Sequence, residues 1–427
     1  MSARVRDRDL DVVVLGATGV TGRGVARYLA ERASQTDLRW AAAGRNPQRL
    51  SAALAELGSG VPETILADVG DHNSLRAMAA RARVVLDLVG PYTDLGRPVI
   101  EACIAEGAHY VDLTGELPFV RSVIDTLHAG ALQAGVKVVQ ICGFEALPPD
   151  LSVMLAAETA RERWQEGLAS VEVEVSIAAP RGVPRPSDAI SGGTLQSLLA
   201  VAAGEDSELI LDPGALIEDA GTAAAVRRAS PITLAPRRGR EGGVVAPMAP
   251  APFINPAVIH RSAALAETAA GRAAAPFRYR EGLLLRGPAP AMPLQWGLAA
   301  GLSATQVGLR GFARTPAPLR RRVVGGLSRL APASGYGPES ARMEAWHWRM
   351  TTYATTVTGR QLTVVADADG HPGYLTTARM LGEAGILLAE DGVTPERAGC
   401  LTPALALGTD CLERFDLARV RFSLSTP

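Results

Sequence analysis

The residues best placed to do chemistry come early in the chain. A short apolar run, Asp11-Val-Val-Val-Leu15, leads into Gly16-Ala17-Thr18-Gly19-Val20-Thr21-Gly22, and a helix-like segment follows. That order reads as strand, tight turn and helix start, the place where a dinucleotide's pyrophosphate docks. Gly16 lets the chain turn sharply, Gly19 lets backbone amides approach the pyrophosphate, and Gly22 lets the helix pack close to the sheet. The first-turn amides have no partners within the helix and its dipole end is positive, so the site favours an anion. Taken alone, the glycines also suit an ordinary strand–helix turn. A second apolar segment, 38–43, ends in Gly44-Arg45-Asn46, about 20 residues beyond the loop, where the adenosine ribose is read. An acid there would accept from the ribose 2′-hydroxyl. Arg45 instead presents a fork of donors suited to a 2′-phosphate. The two features together predict NADP(H) rather than NAD(H), with a plain surface arginine as the alternative for Arg45.

Further candidates follow at intervals. Asp68-Val69 would face the adenine ring or simply end a strand. In Val89-Gly90-Pro91-Tyr92 the small residue would admit the nicotinamide-side ribose, placing Tyr92 near the hydride-transfer centre. Tyr92 is the candidate catalytic residue, as proton or hydrogen-bond donor; the other reading is a ring packed on the cofactor. Gly143-Phe144 would close the cofactor edge, and Glu116 and Glu145 stand at strand ends beside it, either as acids or as groups that orient backbone or ribose. Asp112, His347 and His371 read as structural, and no complete acid–base pair is identified.

These residues need elements to carry them. Apolar segments at 11–15, 38–43, 63–67, 84–89, 109–113 and 136–142 alternate with helix-like segments, two of which stop at Gly58 and Gly107. The pattern predicts an α/β fold, a Rossmann-type doubly wound parallel sheet with ligand at the carboxyl ends of its strands. All the candidate loops fall on that edge. Asp71 reads as a helix N-cap. The pattern then changes: 171–178 reads as a half-exposed strand, Ser191-Gly-Gly-Thr194 as a helix start able to hold an anion, and 212–252 as loop. Residues 283–313 would be core, the wall of an apolar channel or an interfacial patch, and 314–340 mobile and basic. A hairpin at 344–367 turns over Thr358-Gly359-Arg360, a helix at 374–388 follows Pro372, and 419–424 reads as a strand. The expected domains are 1–150 for cofactor, 151–370 as an α+β substrate and dimerisation domain with an antiparallel or mixed sheet, and 371–427 returning toward the first.

Composition excludes several classes. The 427 residues carry a net charge of −1, so the overall balance points neither to nucleic acid nor to an anionic membrane surface. Lys137, in an apparent buried strand, is the only lysine, so any lysine mechanism would have to use it. Cys103, Cys142, Cys400 and Cys411 lack metal-type spacing and read as reduced packing residues; no metal is expected. No apolar signal core precedes the first strand and no clean apolar span appears, so a cytoplasmic location is expected.

Val14-Leu-Gly-Ala-Thr-Gly-Val-Thr-Gly22, Ala43-Gly-Arg45, Val89-Gly-Pro-Tyr92, Tyr110-Val-Asp-Leu-Thr-Gly-Glu116 and Gly143-Phe-Glu145 together resemble the saccharopine dehydrogenase-like NADP-binding family. Ser191-Gly-Gly-Thr194 and Asp369-Gly-His-Pro-Gly-Tyr374-Leu-Thr-Thr-Ala-Arg-Met-Leu381 are similar to its trans-acting enoyl reductase subgroup. The resemblance spans nearly the whole chain. It implies an NADPH-dependent reductase of a carbon–carbon double bond in a small-molecule or carrier-bound acyl chain, often one held by a polyketide synthase, and a homodimer. The arginine-rich stretches 226–240 and 313–322 match none of its motifs. Such a reaction needs a hydride at one carbon, a proton at its neighbour and donors to the carbonyl oxygen. Two alternatives stand beside it. A C=N reductase of an amino-acid-type substrate would gather arginines, and a non-catalytic NADPH-binding scaffold would contact a lipid surface or a synthase.

Overall fold

Short apolar strands separated by helices build the first sheet. The computed structural model describes residues 8–55, 57, 62–180, 201–202, 204, 206–328 and 340–426. In order come β1 (Leu10–Leu15), α1 (Val20–Ala33), β2 (Trp40–Gly44), α2 (Pro47–Ala55), β3 (Glu63–Leu66), α3 (His72–Arg81), β4 (Ala82–Asp87), α4 (Tyr92–Glu106), β5 (His109–Asp112), α5 (Leu117–Ala134) and β6 (Lys137–Val139). The strands lie in the order β3-β2-β1-β4-β5-β6, all parallel. Both faces of β1 are covered: Val12 and Val14 enter one core cluster, and Val13 and Leu15 another. This double burial is why the strand reads as a continuous apolar run rather than an alternating one. The order reverses between β1 and β4, and the crevice beyond their carboxyl ends is where such sheets bind ligands.

A second sheet follows the long helix α6 (Leu147–Trp164). The elements from here onward are β7 (Leu168–Ala178), α7 (Ala220–Ala229), β8 (Arg237–Arg238), β9 (Val244–Ala246), α8 (Ala251–Ala269), β10 (Arg278–Leu285), α9 (Met292–Ala313), α10 (Ala317–Ser328), α11 (Ser340–Glu344), β11 (His347–Thr356), β12 (Gln361–Asp369), α12 (Thr377–Ala389), β13 (Gly399–Leu401), α13 (Pro403–Leu407) and β14 (Val420–Ser425), of which all strands but β13 build the second sheet. The order is β14-β12-β11-β7-β10-β9-β8, with β7 and β10 parallel and the other pairs antiparallel. One face of this sheet, through Val171, Val173, Trp348 and Val364, shares a core cluster with Val12 and Val14 of β1 and with residues of α6 and α12. Buried Glu383 of α12 fixes the junction. It accepts from Tyr28 Oη (2.6 Å) and Arg32 Nε (3.3 Å) on α1 and from Arg414 Nη2 (3.1 Å). Removing one partner of such a buried pair costs about 3–5 kcal/mol.

The structure departs from the sequence expectations in several places. The first sheet has a seventh strand among the described residues, β13, which joins beside β6 in parallel from the far end of the chain. Residues 171–178 form part of β7, and the exposure lies along the strand rather than on alternate residues: 171–174 are buried, Glu172 and Glu174 with their apolar neighbours, 175–177 are half-buried and Ala178 is exposed. Charged groups cover the second face, Arg240 N donating to Glu174 Oε1 (2.8 Å) and the Arg280 guanidinium to Glu172. Residues 212–252, expected as loop, hold α7, capped by Asp219 accepting from Thr222 N (2.6 Å), and strands β8 and β9. Part of the stretch expected to be mobile forms α10. The Ser191-Gly-Gly-Thr194 helix start and the Gly58 helix end lie outside the described residues. All four cysteines are buried with free thiols, and Lys137 Nζ donates to Thr394 Oγ1 (2.6 Å) and Ala406 O (3.1 Å). The lysine thus ties β6 to the C-terminal region.

Candidate active site

The glycine turn separates what the chain itself requires from what a ligand requires. Gly16 has φ +88°, and a Cβ there would lie 2.9 Å from Val89 Cγ2. Gly22 is tighter: a Cβ would stand 2.2 Å from Gly16 O. Both glycines are therefore demanded by the turn and by its contact with the end of β4. Gly19 differs. Its φ is −73°, and the nearest atom to a Cβ would be Gly16 O at an ordinary 3.6 Å. The fold itself would accept a side chain at Gly19, so the turn alone does not demand this glycine, and its place at a helix start is one where a ligand could approach the amides. Gly19 is the N-cap of α1, no side chain caps the helix and no acid occupies its first turn, so Val20 and Thr21 begin a helix ready for an anion.

The neighbouring strand ends complete the edge. Gly16 N donates to Ala43 O (3.0 Å), which sets Gly44 and exposed Arg45 beside the turn. Asn46 accepts from Arg49 N (2.9 Å) and so opens α2. Asp68 accepts from Gly70 N (2.9 Å), and Val69 beside it is half-buried. Thr18 and Val89 are half-buried where β1 and β4 meet, with Gly90 and Pro91 following. These residues fit NADP(H): a helix start with no capping side chain or first-turn acid, and an exposed guanidinium just beyond the neighbouring strand end, able to meet a 2′-phosphate.

Tyr92 is placed differently from a group exposed to reactants. It begins α4 and is buried, and its hydroxyl donates to Asp87 O (3.1 Å). Its N–H and that of Thr93 donate to Glu116 (3.0 and 2.7 Å). Glu116 is fully buried and holds the start of α4 in place. Behind it, the Tyr110 hydroxyl lies between Asp87 Oδ2 (3.1 Å) and Asp112 Oδ2 (3.0 Å). Burial pushes the Asp87 carboxyl up to about 8 and that of Asp112 up to about 7. Gly143 packs near Leu113 and Thr377, while Phe144 turns into the core, its ring edge-on to Trp348 at 4.9 Å.

The structure also assembles a cluster that sequence reasoning missed. Asn255 of α8 donates from Nδ2 to Glu145 O (2.6 Å), on the loop after β6, and to Glu281 Oε2 (2.9 Å), on β10. The Tyr279 hydroxyl also donates to Glu281 Oε2. Glu281 Oε1 and Asn255 Oδ1 are buried with no partner among the described residues. Burial, reinforced by the charge of Glu281, raises the Glu145 carboxyl to about 7; burial likewise raises Glu281 to about 7. The cluster joins the carboxyl edge of the first sheet to one face of the second, with Ile254 Cδ1 lying 3.1 Å from where a Gly115 Cβ would be. Buried polar atoms without partners and carboxyls shifted toward neutrality mark functional sites. The available signal was Tyr279-Arg-Glu281, a charged and aromatic start to the otherwise apolar β10. His347 pairs with Asp369 at the surface (3.0 Å), and His371 stacks between Trp346 and Tyr374.

Comparison with known proteins agrees with this geometry. Residues 12–139 match the family model of the saccharopine dehydrogenase NADP-binding domain. Apo saccharopine dehydrogenase (L-Glu forming) from Saccharomyces cerevisiae superposes with a TM-score of 0.51 at 16% identity, over 97% of this chain and 99% of that one. Sheet order, glycine turn and family model define an NADP-dependent oxidoreductase with a saccharopine dehydrogenase-like fold. A Mycobacterium tuberculosis protein named as a trans-acting enoyl reductase is 37% identical over 97% of both chains. The trans-acting enoyl reductase of Mycobacterium ulcerans is 35% identical over 95% of this chain and 96% of its own. The chain belongs to the trans-acting enoyl reductase family.

Proposed function

We propose that this reductase saturates an α,β-unsaturated acyl chain delivered by a carrier, such as that of a polyketide synthase, and that the Glu145–Asn255–Glu281 cluster supplies the proton. The observation that carries the reading is the Asn255 bridge, which joins the cofactor-side loop to an acid on the opposite sheet. Bound NADPH supplies the hydride to the β-carbon. Burial raises both carboxyls toward neutrality, so each can hold a proton near neutral pH. Glu281 Oε2 is occupied by Tyr279 and Asn255, which leaves Oε1 to carry the proton and hand it to the α-carbon. Tyr279 holds the carboxyl in orientation, and Glu145 is the group from which it is reprotonated. The product gains one hydride and one proton, and the carboxylate left behind recovers its proton from solvent.

The arrangement favours C=C over C=N reduction. Arg237, Arg240 and Arg280 gather around Glu172 and Glu174. By strand alternation they lie on the face away from Glu281, and they are answered by the chain's own acids. The face that carries Glu281 continues through Leu283 and Leu285, which suits an apolar chain better than a polycarboxylate. The same reading has the protein work as a homodimer.

The test is NADPH consumption with a 2-enoyl thioester against consumption with an imine formed from an amino acid and a keto acid. Oxidation of cofactor with the thioester supports the proposal. Turnover of the imine alone overturns it, and tight NADPH binding with neither substrate consumed makes the chain a scaffold.

A further inference from the structure

The pair of helices α9 and α10 carries apolar side chains on its outer side as well as on its inner one. A surface helix normally turns apolar residues inward. Here α9 buries Gln295 and Gln306, each 5% exposed, and presents Leu294 (65%), Leu298 (55%) and Leu309 (48%) to the outside. On α10, Arg320 is buried while Leu319 (51%), Val323 (41%) and Leu327 (51%) are exposed. Seven of the eleven large apolar side chains exposed among the described residues fall between Leu294 and Leu327, so these are a patch rather than the scatter of an ordinary surface. Glycines 297, 301, 308 and 311 face open space as well, which leaves the outer side of α9 low in relief.

The patch is built. The Arg320 guanidinium donates to Ala202 O (2.9 Å), Ala313 O (3.3 Å), Thr315 O and Gly204 O, and so locks the turn between the helices. The Ser207 hydroxyl donates to Ala313 O (2.9 Å). On its inner side α9 packs through Ala299, Trp296 and Leu302 against Val244, Ala246 and Leu285 of the second sheet. Leu285 lies four residues along β10 from Glu281 and on the same face, roughly 13 Å away.

Charge decides what can cover the patch. From Gly282 to Ser328 the sequence holds arginines at 286, 310, 314, 320, 321 and 322 and no aspartate or glutamate. Arg286 pairs with Glu241 and Arg320 is buried against backbone carbonyls, while Arg314 and Arg322 are exposed alongside the leucines. A second copy docked by two-fold symmetry would set arginines against arginines with no acid from this stretch to answer them. An anionic lipid surface answers both features at once, accepting the aliphatic side chains between headgroups and the guanidinium groups at the phosphates. Among the described residues no helix is long and apolar enough to cross a membrane, so α9, about 33 Å long, would lie in the interface plane.

We propose that α9 and α10 form a docking surface for an anionic lipid bilayer, seated on the sheet face that carries Glu281. This inference stands apart from the choice of substrate, because its test involves no turnover. The full chain is sedimented with phosphatidylcholine vesicles and with vesicles containing phosphatidylglycerol, at low and high salt. The wild type is expected to pellet with the anionic vesicles at low salt, to be released as salt rises, and to pellet poorly with phosphatidylcholine alone. Leu298→Glu/Leu309→Glu should abolish pelleting while NADPH binding and melting temperature stay at wild-type values. Arg314→Gln/Arg322→Gln should weaken it by roughly fivefold per arginine. Wild type remaining in the supernatant with both vesicle types overturns the proposal, as does a double-glutamate variant that pellets like the wild type. A variant that converts a dimer to a monomer without vesicles present assigns the face to a second copy and also overturns it. Capture of the wild type, but not the glutamate variant, by an acidic carrier protein that displaces vesicles assigns the face to that partner, with the same consequence.

Discussion

The edge of the first sheet and the face of the second treat buried charge in opposite ways. At the edge, carboxylates are answered by nearby backbone. Glu116 holds Tyr92 N and Thr93 N, Asp112 holds Thr114 N and Ile141 N, and Asp87 holds Val89 N. On the second sheet, Glu281 and Asn255 each keep an oxygen without a partner among the described residues, and Glu281 and Glu145 come from elements far apart in the chain. The first arrangement makes a rigid seat whose shape is complete in the protein. The second leaves polar atoms unanswered, which on the proposed mechanism serve as a proton and an acceptor for the substrate. A seat for a cofactor and a source of a proton need these two opposite designs.

Each prediction breaks one side of that contrast and leaves the other intact. Glu281→Gln keeps the hydrogen bonds of Tyr279 and Asn255 within reach but removes the proton, and should lower kcat about 10²–10⁴-fold with NADPH affinity unchanged, measured by steady-state kinetics and calorimetry. Gly19→Val should cost about 100-fold in NADPH affinity with little change in melting temperature, whereas Gly22→Val, facing a 2.2 Å contact, should lose the fold as well. Equal melting temperatures for the two variants would remove the distinction drawn between them. Arg45→Asp should weaken NADPH by about tenfold and leave NADH nearly unaffected in parallel titrations.

The smallest effect is on pH. Glu145 and Glu281 are raised from 4.5 to about 7, so the acid form is present below that value. Turnover should fall as pH rises through about 7, and Glu281→Gln should lose that limb along with its rate. The folded chain binds more protons than the unfolded chain between those values, so these groups also lower stability as pH rises across the window. Melting curves of the wild type and of Glu145→Gln/Glu281→Gln should diverge in slope there.

The same contrast explains what could be read from the sequence. The glycine turn and strands β1, β2, β4 and β5 are legible because their causes are local: Gly16 and Gly22 answer contacts within a few residues or to the next strand end, and burial leaves plain apolar runs, whereas β3 is a largely exposed edge strand. Asp71 capping α3 through Asn73 N (3.0 Å) is equally local. Strand β13 is three residues long and shows no period of its own; its place beside β6 is tertiary. Glu172 and Glu174 read as solvent-facing because the arginines that bury them lie more than sixty residues on. Asn255 and Glu281 stand 110 and 136 residues beyond Glu145 and meet it only through the packing of α8 on β10. The face of α9 reads equally as core or surface in the sequence, because a helix with buried glutamines and exposed leucines gives no signal that separates the two.

The most direct measurement follows the two hydrogens added to an enoyl thioester. With NADPH deuterated at C4 in ordinary water, the product should carry deuterium at the β-carbon; with ordinary NADPH in D₂O, it should carry deuterium at the α-carbon. Product without cofactor-derived deuterium, or thioester recovered unchanged beside fully bound NADPH, would contradict the account.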